Sequence, residues 1–362
     1  MNKDQIQEHA LSVLLKHKRA SVNISMGVGK TLIGLKHMAQ NYTDSSMFLV
    51  VAPKISIFQS WIDDAGKFGL EYLLEHITFT TYISLHKQKH LYDVVYLDEC
   101  HSLKMSHGKW LAGYSNSIIG LTGTAPRYKT SEKGQLVNMY CPVVYEYKPD
   151  DAIGDNILND YSIEVHFLPL DNLKNIFKTT KKGGSYYTSE VSLYDYWSRK
   201  IDDSSESQRQ MFRIMRMKAM MSFPTKEAYA KKLFQESTEK TIIFANTKEQ
   251  ADNLCRESYH SGNKNSEQNL EDFKTGKINK LSAVLQLNEG INIPDLKAGI
   301  VLHAYGNERK LAQRLGRLLR LNPNDKSKLY ILCYQDTIDE IWVKSALSSF
   351  DQSKIQWVER KK

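Results

Sequence analysis

The chain has 362 residues, of which 41% are hydrophobic and 25% charged, and it carries a net charge of +8. This composition excludes a disordered or collagen-like chain, the length suits two domains, and the basic excess permits a polyanionic partner. Four widely spaced cysteines (Cys100, Cys141, Cys255, Cys333) form no CxxC pair, so neither a zinc site nor a disulfide framework is expected.

In chain order, a helical pattern over 7–16 precedes an apolar stretch at 20–24. Short β-branched runs follow at 48–52, 77–80 and 94–97. A long helical pattern covers about 205–221. Further runs lie at 241–245, 283–285, 299–302 and 329–332, with a helical pattern over 248–259. Continuous apolar runs suit strands buried on both faces, so the expected fold is α/β with mostly parallel sheets. A stretch of different character divides the runs. Domains are expected at 1–150 and 151–362, the second with a helical and aromatic insertion at about 171–235. The tyrosines and Trp197 within 186–197 could stack on unpaired bases in a strand-separating or guiding role, but the better reading is packing; Met211, Met215, Met217, Met220 and Met221 likewise read as core rather than a cofactor site. No run approaches roughly 18 apolar residues and the opening residues are polar, so a soluble intracellular protein with no membrane partner is expected.

The strongest local signal is Ser25-Met26-Gly27-Val28-Gly29-Lys30-Thr31. A phosphate cradle needs glycines so that backbone N–H groups can turn inward, a lysine for the β- and γ-phosphates, and a hydroxyl for Mg²⁺. Gly27, Val28, Gly29, Lys30 and Thr31 supply these, although the pattern GxxxxGK[ST] asks for glycine where Ile24 stands. By itself the segment also reads as a surface turn with a solvated lysine. Asp98 and Glu99 end the run 94–97. At a strand's C-terminal end Asp98 can hold Mg²⁺ with Thr31, and Glu99 can polarise an attacking water. An isolated Asp-Glu pair is also an ordinary solvated loop, so His101 and the order of loop before acids add weight.

Asp98-Glu99-Cys100-His101 resembles the DEAH-type box of superfamily 2 helicases and translocases. Leu121-Thr122-Gly123-Thr124-Ala125-Pro126 is similar to their motif III, with Ala125 extra, and Val50–Lys54 with Gln59-Ser60-Trp61 to motif Ia. The segments 81–85, 241–246, 288–294 and 313–320 resemble motifs Ib, IV, V and VI; Asn292 stands where many members have Asp. The finer style is closest to Swi/Snf-like and compact phage-type members. The resemblance covers about residues 5–335 in the family's order and implies two RecA-like lobes with an ATP cleft between them.

It further implies that Gln7 reads adenine, with Gln5 the competing candidate, and that Gly290 and Gln313 belong to the nucleotide machinery. Arg317 and Arg320 share a helix face by their spacing, and a guanidinium meets phosphate oxygens at two points. His101, Thr122 and Thr124 would couple nucleotide state to grip. Lys54, Thr81, Ser84, Arg127, Thr247 and Asn292 would meet nucleic-acid phosphates. The expected cofactors are ATP and Mg²⁺, and the expected partner is DNA rather than RNA, with a possible loading protein and a cytoplasmic or nucleoid-associated location. The leading expectation is an ATP-dependent DNA helicase. The alternatives are a duplex translocase or annealing remodeller that does not unwind, and a nucleotide-dependent switch or scaffold.

Overall fold

The apolar runs do become strands, and their burial on both faces explains why they lack polar alternation. The structure is a computed structural model that describes residues 1–25, 27–126, 128–155, 157, 160–180, 183–284, 293–304, 326–348 and 350–359. The chain divides into two compact units, the first running from Met1 to Asp160 and the second starting at Tyr161.

The first unit holds β1 (Arg19–Ile24), β2 (Phe48–Ala52), β3 (Ile77–Thr81), β4 (Val94–Asp98), β5 (Ser117–Thr122) and β6 (Val143–Tyr147). They form one sheet in the order β3-β2-β4-β5-β1-β6, with every neighbouring pair parallel. Parallel neighbours require crossovers, which the helices provide. These are α1 (Lys3–Leu14), α2 (Lys30–Gln40), α3 (Ser56–Lys67), α4 (Met105–Gly113), α5 (Glu132–Tyr140) and the short α6 (Pro149–Gly154). Helix α1 begins earlier than its apolar periodicity suggests because Asn2 and Gln5 form a reciprocal capping box. Helix α2 packs closely at Gly34, where an added Cβ would lie 2.6 Å from Trp61 and 3.0 Å from Leu121.

The second unit contains β7 (Asp160–Leu168), β8 (Ile176–Thr179), β9 (Ser185–Thr188), β10 (Thr241–Ala245) and β11 (Ser258–Tyr259). It continues with β12 (Lys280–Val284), β13 (Ala298–Val301), β14 (Lys326–Tyr334) and β15 (Ile355–Glu359). Seven of them form a sheet in the order β11-β12-β10-β13-β14-β7-β15, and β8 pairs with β9 as a separate antiparallel ribbon. Its helices are α7 (Glu190–Asp202), α8 (Glu206–Met221), α9 (Pro224–Glu236), α10 (Lys248–Leu254), α11 (Ser266–Lys274) and α12 (Ile338–Leu347). A buried ion pair, Lys226 with Asp339, ties α9 to α12. The same ammonium donates to the Leu302 carbonyl at 3.0 Å and lies 4.7 Å from the Tyr334 ring centroid.

Three local expectations change. The division falls at Asp160 rather than near 150, because α6 is held to the first unit: Asp155 accepts from the Met1 amine at 2.7 Å and from the Tyr147 hydroxyl at 2.9 Å. The helical pattern over 248–259 stops at Leu254, since Ser258 and Tyr259 pair with β12 as β11. The aromatic and methionine tracts divide as well. Met220 is buried and Tyr194 and Trp197 pack on the core, but Tyr186, Tyr187, Tyr196, Met211 and Met215 are exposed. Periodicity marks a face without saying whether anything covers it.

Candidate functional site

Loops leaving the C-terminal ends of parallel strands gather in one place, because adjacent parallel strands end on the same edge. Here β4, β5 and β1 are consecutive neighbours, with Asp98 paired to Leu121 and Asn23 paired to Thr122. The phosphate-loop candidate follows β1, Asp98 ends β4 with Glu99 next to it, and Thr122 ends β5 with Thr124 just beyond. Residues distant in sequence therefore share one edge of one sheet.

Ile24 is a buried strand residue in register with Tyr147 of β6, which is why glycine is absent there. The loop turns instead on Gly27 (φ 85°) and Gly29 (φ 99°), both in the left-handed region. Gly29 is the N-cap of α2 and offers no capping side chain, so the first N–H groups of that helix face an anion position without a competing acceptor. Gln7 is buried, and its Nε2 donates to the Val28 carbonyl at 2.6 Å, while its Oε1 has no protein partner. A Cβ on Gly29 would lie 2.7 Å from that Nε2. Gln5 is spent on the capping box, so Gln7 is the glutamine against the loop.

Both acids are buried. Trp61 donates its indole N–H to Asp98 Oδ2 at 2.9 Å, and the Glu99 amide donates to Oδ1 at 2.9 Å. Burial, with the neighbouring Glu99 charge, lifts Asp98 to about 6, against the pull of Trp61 and Lys30. Burial also opposes ionisation of Glu99, but hydrogen bonding from His101, the positive charges of Lys30 and His101, and the Thr122 hydroxyl together hold it down, at about 2. Glu99 takes a left-handed conformation (φ 49°), an arrangement that costs energy in a non-glycine residue.

His101 Nδ1 lies 2.8 Å from Thr122 Oγ1 and 3.3 Å from Glu99 Oε2. The Thr122 hydroxyl donates to Glu99 at 3.4 Å and accepts from the Thr124 amide at 3.1 Å; Thr124 Oγ1 is 3.4 Å from His101 Nδ1. Asn23 holds the following turn by accepting from the Ala125 amide at 3.2 Å, so the extra Ala125 is accommodated.

Sequence reasoning passed over two side chains that touch Asp98. Trp61 was legible only as part of a motif pattern. Tyr82, whose hydroxyl donates to the Asp98 carbonyl at 2.9 Å, was likewise legible only as part of the segment resembling motif Ib. Both begin near the grip candidates of this unit: Lys54 follows β2, Thr81 ends β3 opposite Ala52, and Ser84 lies in the 3-10 turn Tyr82–Lys87. In the second unit Thr247 caps α10, accepting from the Gln250 amide at 3.1 Å. Arg127, Gly290, Asn292, Gln313, Arg317 and Arg320 lie outside the described residues.

The residues present fit a nucleotide and a divalent ion. The orphaned Gln7 oxygen suits a base amine, the glycine cradle suits phosphate, and two adjacent buried carboxylates suit a cation. Among the described residues no cluster of three or more His, Cys, Asp or Glu side chains can hold a metal by itself. Mg²⁺ does not require one, since it takes one or two carboxylates together with phosphates and waters. No helix among the described residues is long and apolar enough to cross a membrane.

Residues 1–127 match the family of type III restriction enzyme res subunits, and residues 225–322 match the helicase conserved C-terminal domain family. The chain is 24% identical over 355 residues to the DNA 3'-5' translocase XPB2 of Sulfurisphaera tokodaii, covering 90% of this chain and 80% of that protein. Among solved structures it is similar to the DUF1998 helicase MrfA bound to DNA (TM-score 0.62, 14% identity, 98% of this chain and 49% of that one). It is also similar to the ATP-dependent Type ISP restriction-modification enzyme LlaBIII bound to DNA (TM-score 0.60, 14% identity, 99% of this chain and 31% of that one). The chain thus spans less than half of either solved chain. Together with the two mostly parallel sheets and the motif order, these matches support a superfamily 2 helicase or translocase.

Proposed function

We propose that this protein is an ATP- and Mg²⁺-dependent motor on DNA, a helicase that couples hydrolysis to movement along and unwinding of the strand. The observation that carries the reading is the unbroken set of contacts from Trp61 and Tyr82 through Asp98 and Glu99 to His101, Thr122 and Thr124. Such a set lets the state of the phosphate site bias the loops that begin at the ends of β2 and β3. Gln7 and the Gly27–Thr31 loop would bind and orient ATP, with Lys30 meeting its phosphates. Thr31 and Asp98 would hold Mg²⁺, which when bound neutralises phosphate charge during transfer. Glu99, kept ionised by its neighbours, would accept the proton of the attacking water. Arg317, Arg320 and Gln313 keep the roles their motif gives them, and Gly290 a place in nucleotide binding. Lys54, Thr81, Ser84, Arg127, Thr247 and Asn292 would contact backbone phosphates, which carry no sequence information. By likeness to the Sulfurisphaera protein, the direction is 3′ to 5′.

Phosphate release measured with single-stranded DNA, duplex, forked DNA and RNA tests this reading. Stimulation by DNA that disappears in Lys30→Ala is expected; no stimulation by any of them would favour a nucleotide switch or scaffold. Displacement of a strand from forked DNA, compared with displacement of a triplex-forming strand from duplex, separates unwinding from duplex translocation. A translocase that does not unwind would show only the second.

A further inference from the structure

The ribbon β8–β9 belongs to neither large sheet, and a two-stranded ribbon is marginal by itself. This one is rooted at its base, where Ile176 packs on the core of the second unit and its partner Thr188 is buried. Away from the base it exposes aromatic rings. Phe177 and Tyr187 are cross-strand partners, 57% and 62% exposed, with ring centroids 5.4 Å apart. Lys178 is paired with Tyr186, which is 49% exposed, and strand alternation puts this pair on the opposite face. The turn is tied by the Thr180 amide to the Gly184 carbonyl at 2.7 Å and by the Gly184 amide to Thr180 Oγ1 at 3.1 Å, so the ribbon is held closed at its tip. In sequence, residues 172–189 contain four lysines (Lys174, Lys178, Lys181, Lys182) and no acidic residue.

Water-exposed rings of this size carry a cost that a purely structural ribbon has no reason to bear. An apolar partner would not call for a segment with four positive charges and no negative ones. An unpaired DNA strand offers both features at once, flat base faces for the rings and phosphates for the lysines. We propose that the β8–β9 ribbon is a binding site for single-stranded DNA, with Phe177, Tyr187 and Tyr186 stacking on unpaired bases and Lys178 meeting the backbone. Duplex bases are already stacked on each other, so the site discriminates in favour of separated strands. The proposal rests on the DNA-motor reading and deepens it, by naming where the chain meets the product of unwinding.

The test is equilibrium binding of the full chain to fluorescent oligothymidylate and to blunt duplex, for wild type and Phe177→Ala/Tyr187→Ala. The substituted rings are exposed, and thermal unfolding checks that the variant is folded. Single-strand affinity is expected to fall at least about fivefold, with a smaller change on duplex. Lys178→Ala should lower the salt slope of single-strand binding by about 0.7. Irradiation of wild type with a 5-iodouracil-substituted strand should yield an adduct in the peptide carrying Phe177 or Tyr186 and Tyr187. Undiminished single-strand affinity, an equal loss on duplex, or adducts confined to other peptides would each overturn the proposal and leave the motor reading standing. Wild-type protein that binds neither DNA would overturn both.

Discussion

His101 Nδ1 sits 2.8 Å from the hydroxyl of Thr122, across 21 residues of chain, and both side chains are buried. With Nδ1 protonated, the imidazole donates to Thr122, whose own hydrogen is then directed to Glu99. The strand end of β5 thereby senses the orientation of the carboxylate that follows β4. Thr122→Val and His101→Ala are each expected to lower DNA-stimulated ATP turnover by about tenfold or more. The double variant should fall well short of the product of the two losses, because both cut one network. Multiplicative losses in steady-state turnover would show that the two residues act separately.

Glu99→Gln should bind ATP and hydrolyse it roughly 10²–10⁴-fold more slowly, the range for removal of a positioned base. Nucleotide binding by fluorescence, set against single-turnover phosphate release, checks the split. Rapid release would remove Glu99 from the role of base.

Gly29→Ala places a Cβ 2.7 Å from Gln7 Nε2 and puts alanine at a φ of 99°. Strain of about 1–3 kcal/mol is expected, together with weakened ATP binding, because the loop and the glutamine move together. Gln7→Ala should instead narrow the preference for ATP over GTP while the loop keeps its shape. Competition binding with the two nucleotides distinguishes them, and an unchanged preference would take Gln7 out of base recognition.

Lys226 and Asp339 are buried together in the second unit, and Asp339 also accepts from the Tyr334 amide at 2.9 Å. Removing one partner leaves a buried charge without its counter-ion. Lys226→Met or Asp339→Leu alone should therefore cost about 3–5 kcal/mol, and the double variant less than either single one. Urea unfolding midpoints read this directly, and a double variant as unstable as the sum of the singles would contradict it.

His37 in α2 is buried, with Nδ1 2.8 Å from the Tyr96 hydroxyl, and burial lowers it from 6.5 to about 4. The unfolded chain binds a proton below 6.5 that the folded chain refuses until about pH 4. The neutral imidazole's contribution is thus complete above 6.5 and is lost as pH falls through that window, on the order of 3 kcal/mol in all. His37→Gln should flatten the fall in urea stability between pH 7 and pH 4 by a corresponding amount; an identical slope would show that His37 titrates normally.

Much of the first unit was legible in the sequence because its signals are local. Runs such as Phe48–Ala52 and Val94–Asp98 declare strands buried on both faces by residue type alone. Gly27 and Gly29 declare a tight turn before a helix by spacing, and the acids declare a strand end by adjacency. Tertiary structure decided what depends on a distant partner. It set Gln7, and not Gln5, against the loop at Val28. It brought Trp61 and Tyr82 to Asp98, paired Lys226 with Asp339 across 113 residues, and lowered His37 by enclosing it beside Tyr96. It also uncovered Tyr186, Tyr187 and Met211, which periodicity had counted as packing. Residue type and spacing determine what a segment can form, whereas burial, a contact's partner and a shifted proton affinity depend on which other segments the fold brings against it.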